Sequence, residues 1–457
     1  MHVHFIAIAG SVMHQLAIAL KKKGYVVTGS DDEIFEPAKS NLLTEGILPE
    51  KTGWYSEKIT TDIDSVILGM HAKEDNRELQ KAKELGVKIY SFPEYIYEES
   101  KNKTRVAVGG SHGKTSTTAM IMHVLKYAAK YLNAVEFDYL VGAKLNGFEQ
   151  SVNITDAPII ICEADEYPAS ALDKRPKFHF LFPHIAVLTG IAWDHINVFP
   201  TFDFYLEQFK IFIDKIESDG ILIYNASDEK LKKLVEENKR SDIRYEAYGL
   251  PTYFIEDGKT EVIIEGEKSA PLKVFGNHNL LNLHAAYLVC KQLGVAAQLF
   301  IKAIADFSGA AKRLELLAEN KSYNIYRDFA HAPSKVKASV DAVKQQFPDR
   351  KLIAILELHT YSSLNENFMK EYAGSMNNAD QAVVFYSSHA LQLKRMPELS
   401  KEKIMQGFKK DDLLVINKKE ALEQFLQKQN YYNLNLLLMS SGNYDGLDIL
   451  NLAKPTP

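Results

Sequence analysis

The sequence predicts an α/β protein built from three domains. Two observations carry that expectation. The chain has 457 residues, about three times the ~150 residues of an ordinary domain. Short apolar runs also alternate with helical stretches from end to end, the pattern of strands buried in parallel sheets. Hydrophobic residues make up 46% and charged residues 25%, enough for each domain to bury its own core.

The elements follow in order. "VHFIAIA" (3–9) reads as a buried strand, Gly10-Ser11 as a turn, and "VMHQLAIALKKKG" as a helix closed by Gly24. "YVVTGSDD" is the next strand and ends in acids, which completes a βαβ unit of the nucleotide-binding kind. "SVILGM" and "KIYSF" add strands up to about residue 92, and the polar "KNKT" (101–104) closes a first domain, 1–100. "RVAVGG" opens a second strand-loop-helix unit. "APIIICEADE" and "HIAVLTGIAWDH" are further buried strands with polar C-terminal ends, separated by the charged "LDKRPKF". "FDFYLEQFKIFIDKI" is an amphipathic helix with Phe209, Phe212, Ile213 and Ile216 on its core face. "TYFIEDGKTEVIIEG" alternates as an antiparallel hairpin, and "NHNLLNLHAAYLVCKQLG" is a helix. A boundary near "DFSGAAKR" gives a second domain of 101–308 and a third of 309–457. The third holds the strands "YNIYRDFA", "KLIAILEL", "QAVVFYSS", "DLLVIN" and "LNLLLMSS".

Composition narrows the function. A formal charge of −5, from 54 basic and 59 acidic residues, points to neither a nucleic acid nor a membrane partner. Cys162 and Cys290 are read as reduced thiols of a cytoplasmic protein. The apolar start imitates a signal peptide, but its basic run Lys21-Lys22-Lys23 follows the apolar stretch instead of preceding it. No stretch has the length of a membrane span.

The candidate chemistry begins at "VAVGGSHGKTSTTAM" (106–120). A phosphate-binding loop needs Gly, four residues, then Gly-Lys-Ser/Thr. Gly113-Lys114-Thr115 fits, but Val108 stands where the first Gly belongs. Even so, Gly110, Ser111, His112, Gly113 and Ser116 surround a strand-to-helix turn whose N–H groups can hold an anion. Lys114 would reach the β/γ-phosphates, and the Thr115 hydroxyl would face Mg²⁺. Glu163, with Asp165 and Glu166, ends a buried strand at the edge where a magnesium ligand is expected. The alternative for these acids is a solvated strand end. Asp194 and His195 end another strand, and such a pair is often structural. Three polar strand ends on one sheet edge favour a ligand site. Asn279 and Asn282, three apart on a helix, could hold a purine edge or ribose, or could simply begin the helix. Arg313, Asp328 and His331 lie near the start of the third domain.

These segments together resemble the Mur ligase family. Gly110-Ser-His-Gly-Lys-Thr115 looks like that family's loop, Gly-Thr-x-Gly-Lys-Thr/Ser. "EADE" (163–166), "WDH" (193–195), "GNHNLLN" (276–282), "KRLE" (312–315) and "DFAHAP" (328–333) follow in the family's order. The resemblance implies a three-domain Mur ligase architecture: an N-terminal Rossmann-like domain, a central P-loop ATPase domain and a C-terminal Rossmann-like domain. It implies ATP and Mg²⁺ as cofactors, UDP-N-acetylmuramate as acceptor and an amino acid or peptide as the amine. Lys114, Glu163, His195 and His331 would be catalytic, with Thr115, Glu163 and His195 on the metal. Asn279, Asn282, Arg313 and Asp328 would help bind ATP. Gly10, Ser11, Ser30 and Asp31 would hold the UDP-sugar, and His359 would face the amine.

Within the family, "GSDDEIFEPAKSNLLTEGI", "EADEYPASALDKRPKF" and "MSSGNYDGL" look like the branch that adds L-Ala-γ-D-Glu-meso-diaminopimelate. The branch that adds L-alanine lacks the "DKRPKF" insertion. This chain also departs from the family. Ala7 replaces the first Gly of the N-terminal loop, and Gly190 stands where Asn is usual. Arg327 and Ala332 alter the family's "DDFAHHP" pattern, and "LELHTYSSLN" (356–365), with His359-Thr360, fits neither branch. Rival readings are a folylpolyglutamate synthase, a non-catalytic nucleotide-sugar sensor and a dehydrogenase. The first βαβ domain, the intact Lys114, Thr115, Glu163 and His195, and the missing Gly-x-Gly-x-x-Gly argue against them in turn.

Overall fold

The structure is a computed structural model and describes residues 1–131, 136–143, 145, 147–193, 198–309 and 313–448. The chain divides into two compact units. One comprises Met1–Gly249 and Ala285–Val295, the other Leu250–His284 and the chain from Ala296 onward.

The first unit contains two parallel sheets. Its N-terminal sheet holds β1 (His2–Ile6), β2 (Val26–Ser30), β3 (Ser65–Leu68) and β4 (Lys88–Ser91) in the order β2-β1-β3-β4. β1 is shorter than the apolar run suggests, because Ala7 turns the chain with φ +67°. The larger sheet holds β5 (Thr104–Gly109), β6 (Phe137–Leu140), β7 (Val152–Asn153), β8 (Ile159–Glu163), β9 (Ile185–Leu188), β10 (Ile221–Asn225) and β11 (Arg244–Tyr248). Their order is β11-β10-β9-β5-β8-β6-β7, with only β7 antiparallel to its neighbour. Strands covered on both faces are apolar throughout, and β10 is buried at all five positions.

One apolar cluster runs from Phe5 and Leu16 to Phe209 and Val235 and joins both sheets with their helices. Helix Phe202–Asp214 begins where the Thr201 hydroxyl accepts from the Phe204 N–H, a cap that satisfies one orphan donor. It buries Phe209, Phe212 and Ile213, as its spacing predicts, and Ile216 just beyond it is also buried. Cys162 and Cys290 are free buried thiols, and burial pushes Cys162 up to about 12.

The second unit begins with a small antiparallel sheet of β12 (Thr252–Glu256), β13 (Lys259–Ile264) and β14 (Glu267–Lys268). Its main sheet contains β15 (Glu315–Glu319), β16 (Tyr323–Asp328), β17 (Lys351–Glu357), β18 (Gln381–Phe385), β19 (Leu414–Ile416) and β20 (Leu434–Met439). The order is β15-β16-β20-β17-β18-β19, parallel except for β15. Among the described residues, no helix is long and apolar enough to cross a membrane.

Candidate active site

The phosphate loop is fixed by the neighbouring strand. β5 ends at Gly109, and Gly110 follows with φ +125°. A Cβ on Gly110 would lie 2.3 Å from the Thr189 Oγ1 and 3.0 Å from the Gly190 carbonyl. The Ser111 N–H donates to that carbonyl at 2.9 Å, and the Ser111 hydroxyl lies 2.9 Å from the Tyr205 hydroxyl. The Thr189 hydroxyl donates to the Gly109 carbonyl at 3.1 Å and also contacts the His112 carbonyl. Gly190 has φ +151°, so a glycine at this departure from the family pattern has a backbone reason. Gly113 then caps the fifteen-residue helix Lys114–Ala128 with φ +83°, and Ser116 lies buried in its first turn.

Register brings the acids beside this loop. Val108 pairs with Glu163 and Gly109 with Leu188, so β5, β8 and β9 end at one edge. The Thr115 hydroxyl donates to Glu163 Oε1 at 2.7 Å, and the Gly142 N–H donates to Glu163 Oε2 at 2.9 Å. Lys114 Nζ donates to Glu166 Oε2 at 2.6 Å and to the Gly110 carbonyl at 2.7 Å. The Lys114 side chain is 13% exposed and Glu166 only 1%. Burial alone would push the Lys114 pKa down. The charges of Glu166, then Asp165 and Glu163, outweigh it and hold the ammonium above its ordinary value. Burial likewise opposes ionisation of Asp165, but Lys177 at 2.7 Å and then Lys114 hold its carboxyl below the usual range.

Glu166 was readable only as one of three strand-end acids; its pairing with Lys114 depends on the chain turning after β8. Thr189 and Tyr205 carried no sequence signal, because a hydroxyl buried in a strand end or helix looks like any other core position. Asp194 and His195 lie outside the described residues. Next to them, Trp193 Nε1 donates to the Phe199 carbonyl at 3.0 Å.

A second site lies at the edge of the N-terminal sheet. The Ala9 N–H donates to Asp31 Oδ2 at 2.7 Å and the Asp32 N–H to Oδ1 at 3.0 Å. Asp31 is fully buried, and burial above all raises its pKa to about 6. Ser11 and Asp31 line a cavity of about 850 Å³, with His14, Phe35, His71 and Ser151 among the other walls. Gly10 and Ser30 act as supports. The Gly10 carbonyl accepts from His14 Nδ1 at 2.9 Å, and the Ser30 hydroxyl accepts from Lys58 Nζ at 3.0 Å.

The second unit carries the remaining candidates. Asn279 and Asn282 are 5% and 6% exposed, and Asn279 Nδ2 donates to the Phe275 carbonyl at 2.9 Å. The Arg313 guanidinium lies 5.1 Å from the centre of the Phe329 ring. Asp328 is buried and accepts from the Ser339 hydroxyl. Burial lowers the pKa of His278, with the Asp328 charge opposing. His331 Nδ1 lies 2.8 Å from the Phe329 carbonyl, which accepts from it. His359 Nδ1 stands 3.9 Å from Glu357, with Gly442 packed against its ring.

A lysine-bearing glycine loop beside strand-end carboxylates, on an α/β scaffold, is the arrangement that nucleotide-dependent phosphoryl-transfer enzymes use. Three family descriptions match the chain in succession. "Mur ligase family, catalytic domain" matches residues 2–104, "Mur ligase middle domain" 108–290 and "Mur ligase, glutamate ligase domain" 312–442. The chain belongs to the Mur ligase family, whose members are ATP-dependent enzymes that form C–N bonds.

The relatives include both amine branches. A UDP-N-acetylmuramate–L-alanine ligase of Carboxydothermus hydrogenoformans is 29% identical over 467 aligned residues, covering 99% of this chain and 96% of that protein. A UDP-N-acetylmuramate–L-alanyl-γ-D-glutamyl-meso-2,6-diaminoheptandioate ligase of Haemophilus influenzae is 30% identical over 368, covering 78% and 79%. Among solved structures, a murein peptide ligase from Psychrobacter arcticus aligns over 100% of both chains with a TM-score of 0.62 and 22% identity. A UDP-N-acetylmuramate–alanine ligase from Thermotoga maritima aligns over 98% of this chain and 97% of its own with a TM-score of 0.65 and 22% identity. These structures share the three-domain α/β fold.

Proposed function

We propose that this enzyme joins L-Ala-γ-D-Glu-meso-diaminopimelate to UDP-N-acetylmuramate in the cytoplasm, as a step of peptidoglycan recycling. The observation that carries this reading is the placement of the "DKRPKF" segment. Lys177, at its end, pairs with Asp165 of the "EADE" strand end, and Phe178 beside it is fully buried, stacked on Phe212 with ring centres 4.9 Å apart. The insertion that resembles the tripeptide branch is thus built into the core and into the carboxylate cluster at the phosphate loop. The alternative amine is L-alanine, favoured by the relative that aligns over nearly the whole chain.

We divide the chain for these tasks at 1–100 for the UDP-sugar, 101–308 for ATP and 309–457 for the amine. The γ-phosphoryl group of ATP moves to the lactyl carboxylate oxygen, and ADP leaves. Lys114 stabilises the charge that spreads over the transferring oxygens. Thr115 and Glu163 present hard oxygen donors side by side, the set that Mg²⁺ prefers. That ion, when bound, supplies further neutralisation of the phosphates, and His195 belongs to the same proposed ligand set. The peptide amine then attacks the acyl carbon, a C–N bond forms, and phosphate departs. His331 is the candidate acceptor of the amine proton. Asn279, Asn282, Arg313 and Asp328 are assigned to ATP binding, and His359 to the amine.

The deciding experiment measures phosphate release from ATP with UDP-N-acetylmuramate present, with L-alanine and the tripeptide offered in parallel. Preference for the tripeptide supports the reading. Preference for alanine replaces it with the first amino-acid addition of wall synthesis, and turnover with neither removes both.

A further inference from the structure

Two peptide units of the phosphate loop face opposite ways, and the residues that follow β9 decide which. A trans peptide points its C=O and its N–H in opposite directions. The Ser111 N–H donates to the Gly190 carbonyl at 2.9 Å. The carbonyl of the same peptide, that of Gly110, therefore faces away from Gly190, and it accepts from Lys114 Nζ at 2.7 Å. Two residues on, the order is reversed. The His112 carbonyl accepts from the Thr189 hydroxyl, so the Gly113 N–H points away from Thr189. Gly113 caps the helix Lys114–Ala128, and its N–H joins the first-turn N–H groups that have no carbonyl within the helix. One peptide thus anchors the ammonium, and the other adds a donor where phosphate is held.

A second tier stands behind Thr189 and Gly190. β10 ends at Asn225, whose Nδ2 donates to the Thr189 carbonyl at 3.1 Å. Asp228 Oδ2 accepts from the Ile191 N–H at 2.7 Å. The peptides on both flanks of Gly190 are therefore held by side chains of one short turn. That turn is braced in itself. Asn225 Oδ1 accepts from the Ser227 N–H at 3.0 Å. Asp228 Oδ1 accepts from the Lys230 and Leu231 N–H groups, each at 3.1 Å, and so caps the helix Glu229–Glu237. A Cβ on Gly190 would stand 3.1 Å from Asp228 Oδ2, so the glycine that departs from the family pattern belongs to this arrangement. Thr189 and Asn225 are buried, where a lost hydrogen bond is not made good by water.

We propose that Thr189 is a positioning residue of the phosphate loop, held in place by Asn225 and Asp228: its hydroxyl fixes the loop peptides in the orientation that receives phosphates. This rests on the reading of the loop as the ATP site. The hydroxyl has one proton, shared between the Gly109 and His112 carbonyls. The three residues act through the loop backbone and not on the nucleotide.

The test uses the full-length enzyme and its Thr189→Val, Thr189→Ser and Asn225→Asp variants. Each is titrated with ATP and, separately, with tripolyphosphate, which has the charges without the nucleoside. Steady-state kinetics follow with UDP-N-acetylmuramate and the amine that the enzyme turns over. Thr189→Val keeps the shape and removes the hydroxyl. It is expected to weaken ATP and tripolyphosphate alike, about ten-fold. It should raise KM for ATP while KM for the nucleotide sugar and for the amine hold, and Thr189→Ser should restore wild-type values. Asn225→Asp sets a carboxylate oxygen against the Thr189 carbonyl. It should weaken ATP alone and add little to Thr189→Val, because both act along one path. Unchanged ATP affinity in Thr189→Val overturns the proposal. So does a loss that Thr189→Ser shares in full, or an equal rise in every KM, which marks a merely structural role. Should Thr189→Val fail to fold, unchanged ATP affinity in Asn225→Asp overturns the proposal instead. If the wild-type enzyme binds neither ATP nor tripolyphosphate, the loop assignment has failed and the positioning role falls with it.

Discussion

Strands β1 and β5 each leave their sheet through one residue of positive φ, followed by a loop and a helix. In β1 that residue is Ala7, at φ +67°; in β5 it is Gly110, at φ +125°. The first value lies in the left-handed well that an L-residue can enter at modest cost. The second lies where a side chain has no room. The loops also differ in what they are built around. The β5 loop closes on a cation, Lys114, and the β1 loop closes on an anion, Asp31. One local topology is therefore built in two ways: a tight loop closed on a lysine, and a loop whose aspartate lines a cavity of about 850 Å³.

The sharpest way to break this contrast is Lys114→Ala. It is expected to lower turnover about a thousand-fold with either amine and to reduce thermal stability, because the buried Glu166 loses the ammonium that lies 2.6 Å from it. Turnover retained in an ATPase-coupled assay would remove the phosphate-loop assignment.

Gly110→Ala comes next. Backbone strain of roughly 1–3 kcal/mol, added to the clash with Thr189, should weaken ATP binding more than about ten-fold. A nucleotide titration reads this directly.

Asp31 gives a pH signature opposite in sign to that of Asp165 beside the Lys114 loop. Its folded pKa, about 6, lies above the ordinary 3.8, mainly through burial, with the Asp32 charge adding and the Ala9 N–H and His71 opposing. A raised acid binds its proton more tightly when folded. Its contribution to stability is therefore present below about pH 4 and lost as pH rises through about 6. The melting temperature of wild type minus that of Asp31→Asn should fall across this window, and a flat difference would show that burial is not felt.

The smallest effect belongs to Ala7→Gly. Relief of the left-handed alanine, about 1–2 kcal/mol, is offset by a lost buried methyl, ~0.8 kcal/mol. The greater freedom of the unfolded chain offsets a further ~0.5–1 kcal/mol. Thermal unfolding should therefore shift little, and a loss as large as that in Gly110→Ala would erase the contrast between the loops.

The same two loops show how far the sequence reaches. Buried parallel strands such as β8 and β20 are apolar on both faces and announce themselves as runs. The edge strand β11, "RYEAY", alternates without a strong apolar face, and the two-residue β7 is too short to show a period. At the site, Lys114, Thr115 and Glu163 were legible because strand ends in a parallel sheet share an edge. Glu166's hold on Lys114 was not, since side-chain pairing across a turn has no period. The departure at Ala7 was visible as a letter, but its tolerance is a matter of a dihedral angle. The cavity at the N-terminal sheet depends on what does not pack against it, which no local pattern encodes.

The Lys114–Glu166 pair has a consequence for ligand choice. Lys114 is already engaged by Glu166 Oε2 and the Gly110 carbonyl, so a nucleotide drawn to that ammonium enters an exchange: it must outbid a carboxylate for it. A ligand offering one weak negative charge gains little from displacing Glu166, whereas a chain of phosphates brings several charges and finds the loop's N–H groups as well. The internal carboxylate thus acts as a threshold. Affinity should climb steeply from adenosine through AMP to ATP, and the selectivity arises from a competitor stored within the protein itself.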